Sequence, residues 1–360
     1  MAAGARGRGA DGNRAGRFER LSTDPFDDGW EPDDAAPVRT TLAVDRSRTV
    51  ISRNTSPDLG FDRAVNPYRG CEHGCIYCYA RPTHAYLGLS PGLDFESRLL
   101  FKPDVAASLE RELRRAGYVP DTMVLGSVTD PYQPVDRDKR LSRAVLEVLE
   151  RFDHPVSVVT KGAGVLRDRD VLGRMAARGL ARVWVSLPTL DPRLARSMEP
   201  RAASPARRLE VIAALAEGGV PAGVLAAPMI PGLNDHELER ILQAAAANGA
   251  GMAGWTMIRL PGEVAELFED WLEREQPLRA KRVMALIREV RGGGVNDPRF
   301  GTRMRGEGPY AALLARRFEQ ATKRFGLKRR GDPELRQVRA AGPDGIAPVA
   351  TTDGGQGRLF

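Results

Sequence analysis

One run, from Asn66 to Arg81, holds every cysteine of this 360-residue chain: Cys71, Cys75 and Cys78. With no other thiol to pair with them, a disulfide framework is excluded. Three sulfurs gathered within eight positions are soft ligands suited to a soft metal centre. Two plainer readings compete. Positions i, i+4 and i+7 share a helical face and would suit three core cysteines. However, Gly70 and Gly74 lie inside the run and Pro67 just before it. Glycine costs about 1 kcal/mol in a helix interior and proline about 3, so the stretch reads as a loop. A structural zinc site needs a fourth ligand, which His73 or His84 would supply. Zinc sites usually draw paired Cys-x2-Cys arms from two segments, and the sequence has no second arm.

The spacing Cys-x3-Cys-x2-Cys, with aromatic Tyr77 directly before the last cysteine, resembles the signature of the radical S-adenosylmethionine (SAM) superfamily. The resemblance implies a [4Fe–4S] cluster held by Cys71, Cys75 and Cys78. Such clusters normally take four cysteines. In the family, the iron left over is chelated by the amino and carboxylate groups of SAM. The reduced cluster then passes an electron to the sulfonium, and a 5′-deoxyadenosyl radical takes hydrogen from substrate. A low-potential donor of flavodoxin or ferredoxin type is implied, and Tyr77 would lie against the adenine. The hard chemistry belongs to the cofactor, while the protein orients it and excludes water.

Composition narrows the setting. No apolar run reaches the roughly 18 residues of a membrane span, and the N-terminus lacks the apolar core of a secretory signal. Three free thiols without such a signal imply the reducing cytoplasm. The net charge of +7 is concentrated: residues 301–340 carry 11 Lys and Arg against 4 Asp and Glu. This segment either contacts nucleic acid or is a solvated helix face. Residues 1–45 are rich in Gly, Ala, Arg and Asp and read as disordered, with Phe26 and Trp30 as a local anchor. Residues 341–360 read as a flexible tail.

Between these ends, apolar periodicity alternates. Strands are expected near 61–65, 122–128, 156–160, 181–187, 220–227 and 252–260, and an extended segment over 98–102. Helices are expected over 82–87, 103–116, 140–152, 162–178, 205–217, 235–247, 262–275 and 279–290. Six strand-then-helix units imply parallel pairing through right-handed crossovers. A partial (β/α)6 barrel over residues 46–295 and an open doubly wound sheet both fit this pattern. The SAM resemblance selects the barrel. Residues 296–340 form a basic extension, with a glycine-punctuated loop (Phe300–Gly308) and a helix (Tyr310–Phe325) packing through Leu313, Leu314, Phe318 and Ala321. It is expected to cap the barrel's open side.

In parallel α/β folds, functional groups collect at the C-terminal strand ends. Those positions hold Arg69 and Arg81 beside the cysteines, then Thr129 and Asp130, Thr160 and Lys161, Ser186, Glu199 and Arg201, and Pro228 to Asp235. The resemblance implies SAM contacts at Tyr77, Thr129, Asp130, Ser186, Glu199, Arg201 and Pro228. Several have ordinary explanations: Asp130 before Pro131 initiates turns, Asn234 or Asp235 caps helices, and Glu199 and Arg201 suit a surface pair. His154 and His236 read as structural or solvated, Trp184 as core.

The words around the cysteines are more specific. Asn66-Pro67-Tyr68-Arg69-Gly70-Cys71 through Arg81, with Thr129-Asp130-Pro131-Tyr132-Gln133-Pro134, resembles the spore photoproduct lyase-like branch, often labelled DNA repair photolyase. In the true lyase a further cysteine returns hydrogen to the product. This chain has none, so chemistry of that kind requires another donor such as Tyr79 or Tyr132. The expectation is a radical SAM enzyme of unassigned substrate, with a nucleic-acid base as a candidate. The alternative is a non-catalytic, metal- or cluster-stabilised nucleic-acid-binding protein.

Overall fold

The computed structural model describes residues 7–18 and 38–329. Its strands are β1 (Thr41–Val44), β2 (Ile51–Arg53), β3 (Arg63–Val65), β4 (Tyr68–Arg69), β5 (Arg98–Phe101), β6 (Met123–Leu125), β7 (Val156–Thr160), β8 (Ala181–Ser186), β9 (Ala222–Met229), β10 (Met252–Met257) and β11 (Lys328–Arg329). Eight of them form one sheet in the order β11-β10-β9-β8-β7-β6-β3-β2, parallel throughout except for β2 on β3. From β3 to β10 each successive strand of the sheet adds on the same side. An open doubly wound sheet reverses its order at a switch point, and no reversal occurs here. The architecture is therefore the partial barrel, with six parallel strands at its heart.

Local sequence explains the layers. Val156 and Val158 on β7, and Val183 and Val185 on β8, alternate toward the surrounding helices and join the main apolar core. The opposite faces carry Val159, Trp184, Leu225, Ala227 and Met252 as a separate cluster on the inner face of the barrel. Trp184 fits because its neighbour on β9 is Gly223, where a Cβ would stand 2.7 Å from the indole. The helix Pro205–Glu217 begins with Ser204, whose hydroxyl accepts from the Arg207 amide, and buries Val211, Ile212 and Leu215. Such a cap is worth about 1 kcal/mol.

Some expectations shift. The strand expected over 122–128 ends at Leu125, because Val128 N–H is drawn to the Asn66 side chain (3.0 Å) instead of a neighbouring strand. Segments that composition assigns to disorder take defined places. Thr41–Val44 pairs in parallel with β5, and Arg8, Gly9 and Ala10 are buried. These contacts use backbone amides and an arginine, which apolar periodicity does not register. Phe26, Trp30 and residues 341–360 lie outside the described residues.

The C-terminal helix Gly308–Phe325 packs through Ala311, Leu314, Phe318 and Ala321, whereas Leu313 is 49% exposed and turns outward. The helix lies against the outer layer, with Arg317 paired to Glu239 of the helix Leu238–Ala247. It is the preceding loop, not the helix, that reaches the barrel's edge. Several cations of the basic segment are engaged within the chain: Arg303 with Asp58, Arg317 with Glu239, and Arg299 with Asp297. No helix among the described residues is long and apolar enough to cross a membrane.

His154, 1% exposed, sits in the turn before β7, with Nδ1 3.0 Å from the Pro155 carbonyl and Nε2 2.8 Å from the Tyr118 hydroxyl. Burial lowers its imidazole from 6.5 to about 4. Between those values the unfolded chain binds a proton that the folded chain refuses, so stability is full above pH 6.5 and falls on acidification by about 1.4 kcal/mol per pH unit. Urea unfolding should show this as an excess loss on the order of 3 kcal/mol between pH 7 and 4, absent from His154→Gln. Parallel pH slopes for the two proteins would refute the assignment.

Candidate active site at the cysteine loop

The cysteine loop follows β3 and β4 at the C-terminal edge of the barrel. Short turns shape it: Gly74 N–H donates to the Cys71 carbonyl (3.3 Å) and Cys78 N–H to the Cys75 carbonyl (3.1 Å). Neighbours hold it from both sides, through Cys71 N–H to the Phe95 carbonyl (2.9 Å) and Ile76 N–H to the Met198 carbonyl (3.0 Å). Behind the loop lies Arg81, 0% exposed, which donates to the carbonyls of Cys75 (2.9 Å), Gly74 (3.2 Å), Pro91 (3.1 Å) and Gly92 (2.9 Å) and pairs with the buried Glu96. Glu96 also accepts the amides of Gly9 (2.8 Å) and Ala10 (2.9 Å), while Arg8 donates to its backbone carbonyl (2.6 Å). Gly9 approaches so closely that a Cβ there would stand 1.9 Å from the Gly74 carbonyl oxygen. Thus the N-terminal segment is part of the loop's support.

On the other side, four elements converge beside Cys75. The Glu199 carboxylate lies 3.9 Å from the Cys75 sulfur, accepts from the Tyr77 hydroxyl and pairs with buried Arg208. Arg208 also donates to the Ser186 carbonyl (2.9 Å), tying β8 to the group. Lys161, at the end of β7, places its ammonium 5.9 Å from the Tyr77 ring centroid. Burial alone would raise the Glu199 carboxyl, but Arg208 and Lys161 outweigh it and hold the group below its usual value. Lys161 is pulled down by burial and pushed up more strongly by Cys75 and Glu199, so it stays charged. Burial, with Asp130 nearby, pushes the Cys71 thiol up to about 12, and burial likewise raises Cys75.

Tyr77, Ser186 and Glu199 are thus brought together with the cysteines. Others are placed differently. The Asp130 carboxylate receives the Thr160 hydroxyl (2.7 Å), the Lys161 amide (2.6 Å) and the Tyr132 amide (2.9 Å), with His73 Nδ1 3.2 Å away. Facing these groups it is held down to about 2 against the opposing effect of burial. Its acceptor sites knit the ends of β6 and β7 together. Thr129 donates to the Tyr68 carbonyl (3.3 Å). Arg201 turns away from Glu199 to Glu72 (3.2 Å). Pro228 lies near the end of β9, beside Asn234, which donates to the carbonyls of Pro188 (2.8 Å) and Pro228 (3.0 Å) and accepts the Ile230 amide (2.6 Å). His84 Nε2 faces the Arg98 carbonyl (3.0 Å), and Arg69 is an exposed partner of Asp45.

Residues 65–245, half of the chain, match the family model for the radical SAM superfamily. The chain belongs to the radical SAM superfamily. An uncharacterized protein of Mycobacterium tuberculosis is 38% identical over 232 residues, 64% of this chain and 68% of that relative. One from Acidianus two-tailed virus is 27% identical over 58% of this chain and 71% of its own. Among solved structures, a spore photoproduct lyase variant superposes with a TM-score of 0.59 at 19% identity, covering 80% of this chain and 81% of the other. A second variant, with bound AdoMet and dinucleoside spore photoproduct, gives 0.57 at 17% identity over 80% of each chain. The fold is that of the spore photoproduct lyase-like branch.

A cluster and SAM fit the residues present. No trio of His, Cys, Asp or Glu side chains among the described residues is poised around a single ion. The fit rests instead on three free thiols sharing one electrostatic field, two of them buried, with the half-buried Lys161 ammonium alongside. Bare, the buried thiols keep their protons, and a metal centre would displace them. Arg208 and Glu96 carry much of this arrangement and escape sequence reasoning. They lie in helices, without motif spacing to the cysteines. Lys161 was reachable, as the residue that follows β7.

Truncating one member of a buried pair leaves the other charge stranded. Arg81→Ala should therefore lower the unfolding free energy by about 3–5 kcal/mol in urea titration. Arg69→Ala, at an exposed pair, should cost less than about 1 kcal/mol. Similar losses in the two variants would contradict the supporting role of Arg81.

Proposed function

We propose that this chain is a radical SAM enzyme in which Cys71, Cys75 and Cys78 hold a [4Fe–4S] cluster. When bound, the cluster and SAM would supply a 5′-deoxyadenosyl radical, using an electron from a flavodoxin- or ferredoxin-type donor. The observation that carries this reading is the convergence of Tyr77, Lys161, Ser186 and Glu199 on the cysteine loop, at the C-terminal ends of a parallel barrel. Buried charges of both signs there match a zwitterionic, cationic-sulfonium ligand. Lys161 would meet the SAM carboxylate, and Glu199 a cationic group of the ligand. Tyr77 and Pro228, near the end of β9, would bound the adenosine. Thr129, Asp130 and Arg201 act as positioning residues, through the Tyr68 carbonyl, through Thr160 and Lys161, and through Glu72 respectively.

The substrate proposed is an organic molecule that yields hydrogen to the radical, a nucleic-acid base among the candidates. Tyr79 follows Cys78 directly and is 47% exposed, whereas Tyr132 is buried. Tyr79 is therefore the better placed of the two to meet a substrate.

Anaerobically reconstituted, dithionite-reduced protein should contain about four irons per chain. Its EPR signal should change on adding SAM, and mass spectrometry should find 5′-deoxyadenosine. All three results should be lost in Cys75→Ala. Zinc in place of iron, or a cluster indifferent to SAM, would remove the catalytic reading and favour a metal-stabilised binding protein.

A further inference from the structure

The glycine-punctuated loop Phe300–Gly308 acquires a purpose in the tertiary structure. It runs beside the end of β10, where Met257 N–H donates to the Met304 carbonyl (2.9 Å). Arg303 then crosses to Asp58, in the loop between β2 and β3, with Nε 2.6 Å from the carboxylate. These contacts span the open edge of the barrel. Arg291, 3% exposed, pins the arrangement by donating to the carbonyls of Met257, Ile258, Thr302 and Arg303.

Next to Ile258 stands Arg259. It is half-buried, and its guanidinium lies over the Tyr79 ring, 4.9 Å from the centroid. Among the described residues it has neither a carboxylate within ion-pair distance nor a hydrogen-bond acceptor. Tyr79 is the residue after Cys78, and its hydroxyl donates to the Ser127 carbonyl at the end of β6. The stacked pair therefore joins the last strand of the barrel to the cysteine loop across the mouth.

The surrounding charge is unbalanced. Arg259 lies in the field of Arg303 and Arg291 in that of Arg259, while the nearby carboxylates Asp58 and Asp297 are engaged by Arg303 and Arg299. Burial, helped by Arg303, lowers the Arg259 pKa, as expected of a cation short of counter-charge. A guanidinium held partly out of water with unused donors is costly, and its planar fork is matched by phosphate or carboxylate oxygens.

We infer that Arg259, held on the face of Tyr79, is the anion-recognising residue for the substrate, which therefore carries a phosphate or carboxylate group. Calling that anion the substrate's rests on the radical SAM reading above; the existence of the anion site does not. Arg259 acts in recognition and orientation, presenting the substrate across the mouth beside Cys78.

The test uses the full-length, anaerobically reconstituted protein. Isothermal titration with inorganic pyrophosphate and, separately, succinate distinguishes a phosphate from a carboxylate preference. One of the two should bind the wild type, with affinity at least tenfold weaker in R259Q and less reduced in R259K, which keeps charge but loses the fork. SAM should still change the reduced-cluster EPR signal in R259Q. Circular dichroism checks folding, and R259K carries the comparison if R259Q does not fold. Equal affinities in variant and wild type, or no binding of either anion to the wild type, would overturn the site. Loss of the SAM response in R259Q alone would reassign Arg259 to the SAM carboxylate and overturn the substrate inference. A wild type without any SAM response would instead refute the radical SAM reading, while the anion titrations still decide the site.

Discussion

Taking a guanidinium and a carboxylate out of water together is costly unless their donors and acceptors are used, and around Arg81 and Glu96 they are. Arg81 reaches carbonyls within the cysteine loop, at Gly74 and Cys75, and beyond it, at Pro91 and Gly92. Glu96 takes Arg81 together with two amides from the N-terminal segment. The N-terminal segment and the stretch from Pro91 to Glu96 are thereby fixed around one short loop. The pair shapes the loop from behind and leaves its other side to the ligand. Of the two arginines beside the cysteines, Arg81 is buried within this network and Arg69 is an exposed partner of Asp45.

The same low dielectric that makes Arg81 and Glu96 interdependent governs the ligand side. Around Cys75 the buried Glu199 and Arg208 and the half-buried Lys161 compensate one another, so the pocket keeps charges of both signs in place before any ligand arrives. Preorganised charge in a water-poor site acts more strongly than in solution and requires no reorganisation when chemistry begins. The barrel aligns these groups, since each stands at or just beyond the end of a parallel strand or in the helix that follows.

How much of this was legible depends on the kind of signal. The strands Val156–Thr160 and Ala181–Ser186 and the helix Pro205–Glu217 follow from apolar periodicity, because burial on one face dictates the spacing of the residues. Tyr77, Ser186 and Glu199 were reachable through strand-end logic combined with the cysteine resemblance. Arg208 and Glu96 were not, because a buried ion pair between helix and loop leaves no periodic trace. The N-terminal segment misled for a related reason. Arg8, Gly9 and Ala10 dock through amides and a guanidinium, so composition that counts apolar side chains sees only disorder. Leu313 was assigned inward by its type, but helix rotation turned it out and put Ala311 in its place.

By itself, the sequence determined the soft-ligand loop, the six-fold alternation of strand and helix, and the concentration of positive charge near the C-terminus, because each is written in neighbouring residues. It left barrel and open sheet unresolved on periodicity alone, since both alternate identically. Only the tertiary structure decided the order of the strands, the turn of Arg201 toward Glu72, and the pairing of many basic residues within the chain. It also set Arg259 against Tyr79 across the barrel's mouth. These depend on contacts between residues far apart in the chain, whose geometry is fixed only when the sheet curves and its edges meet.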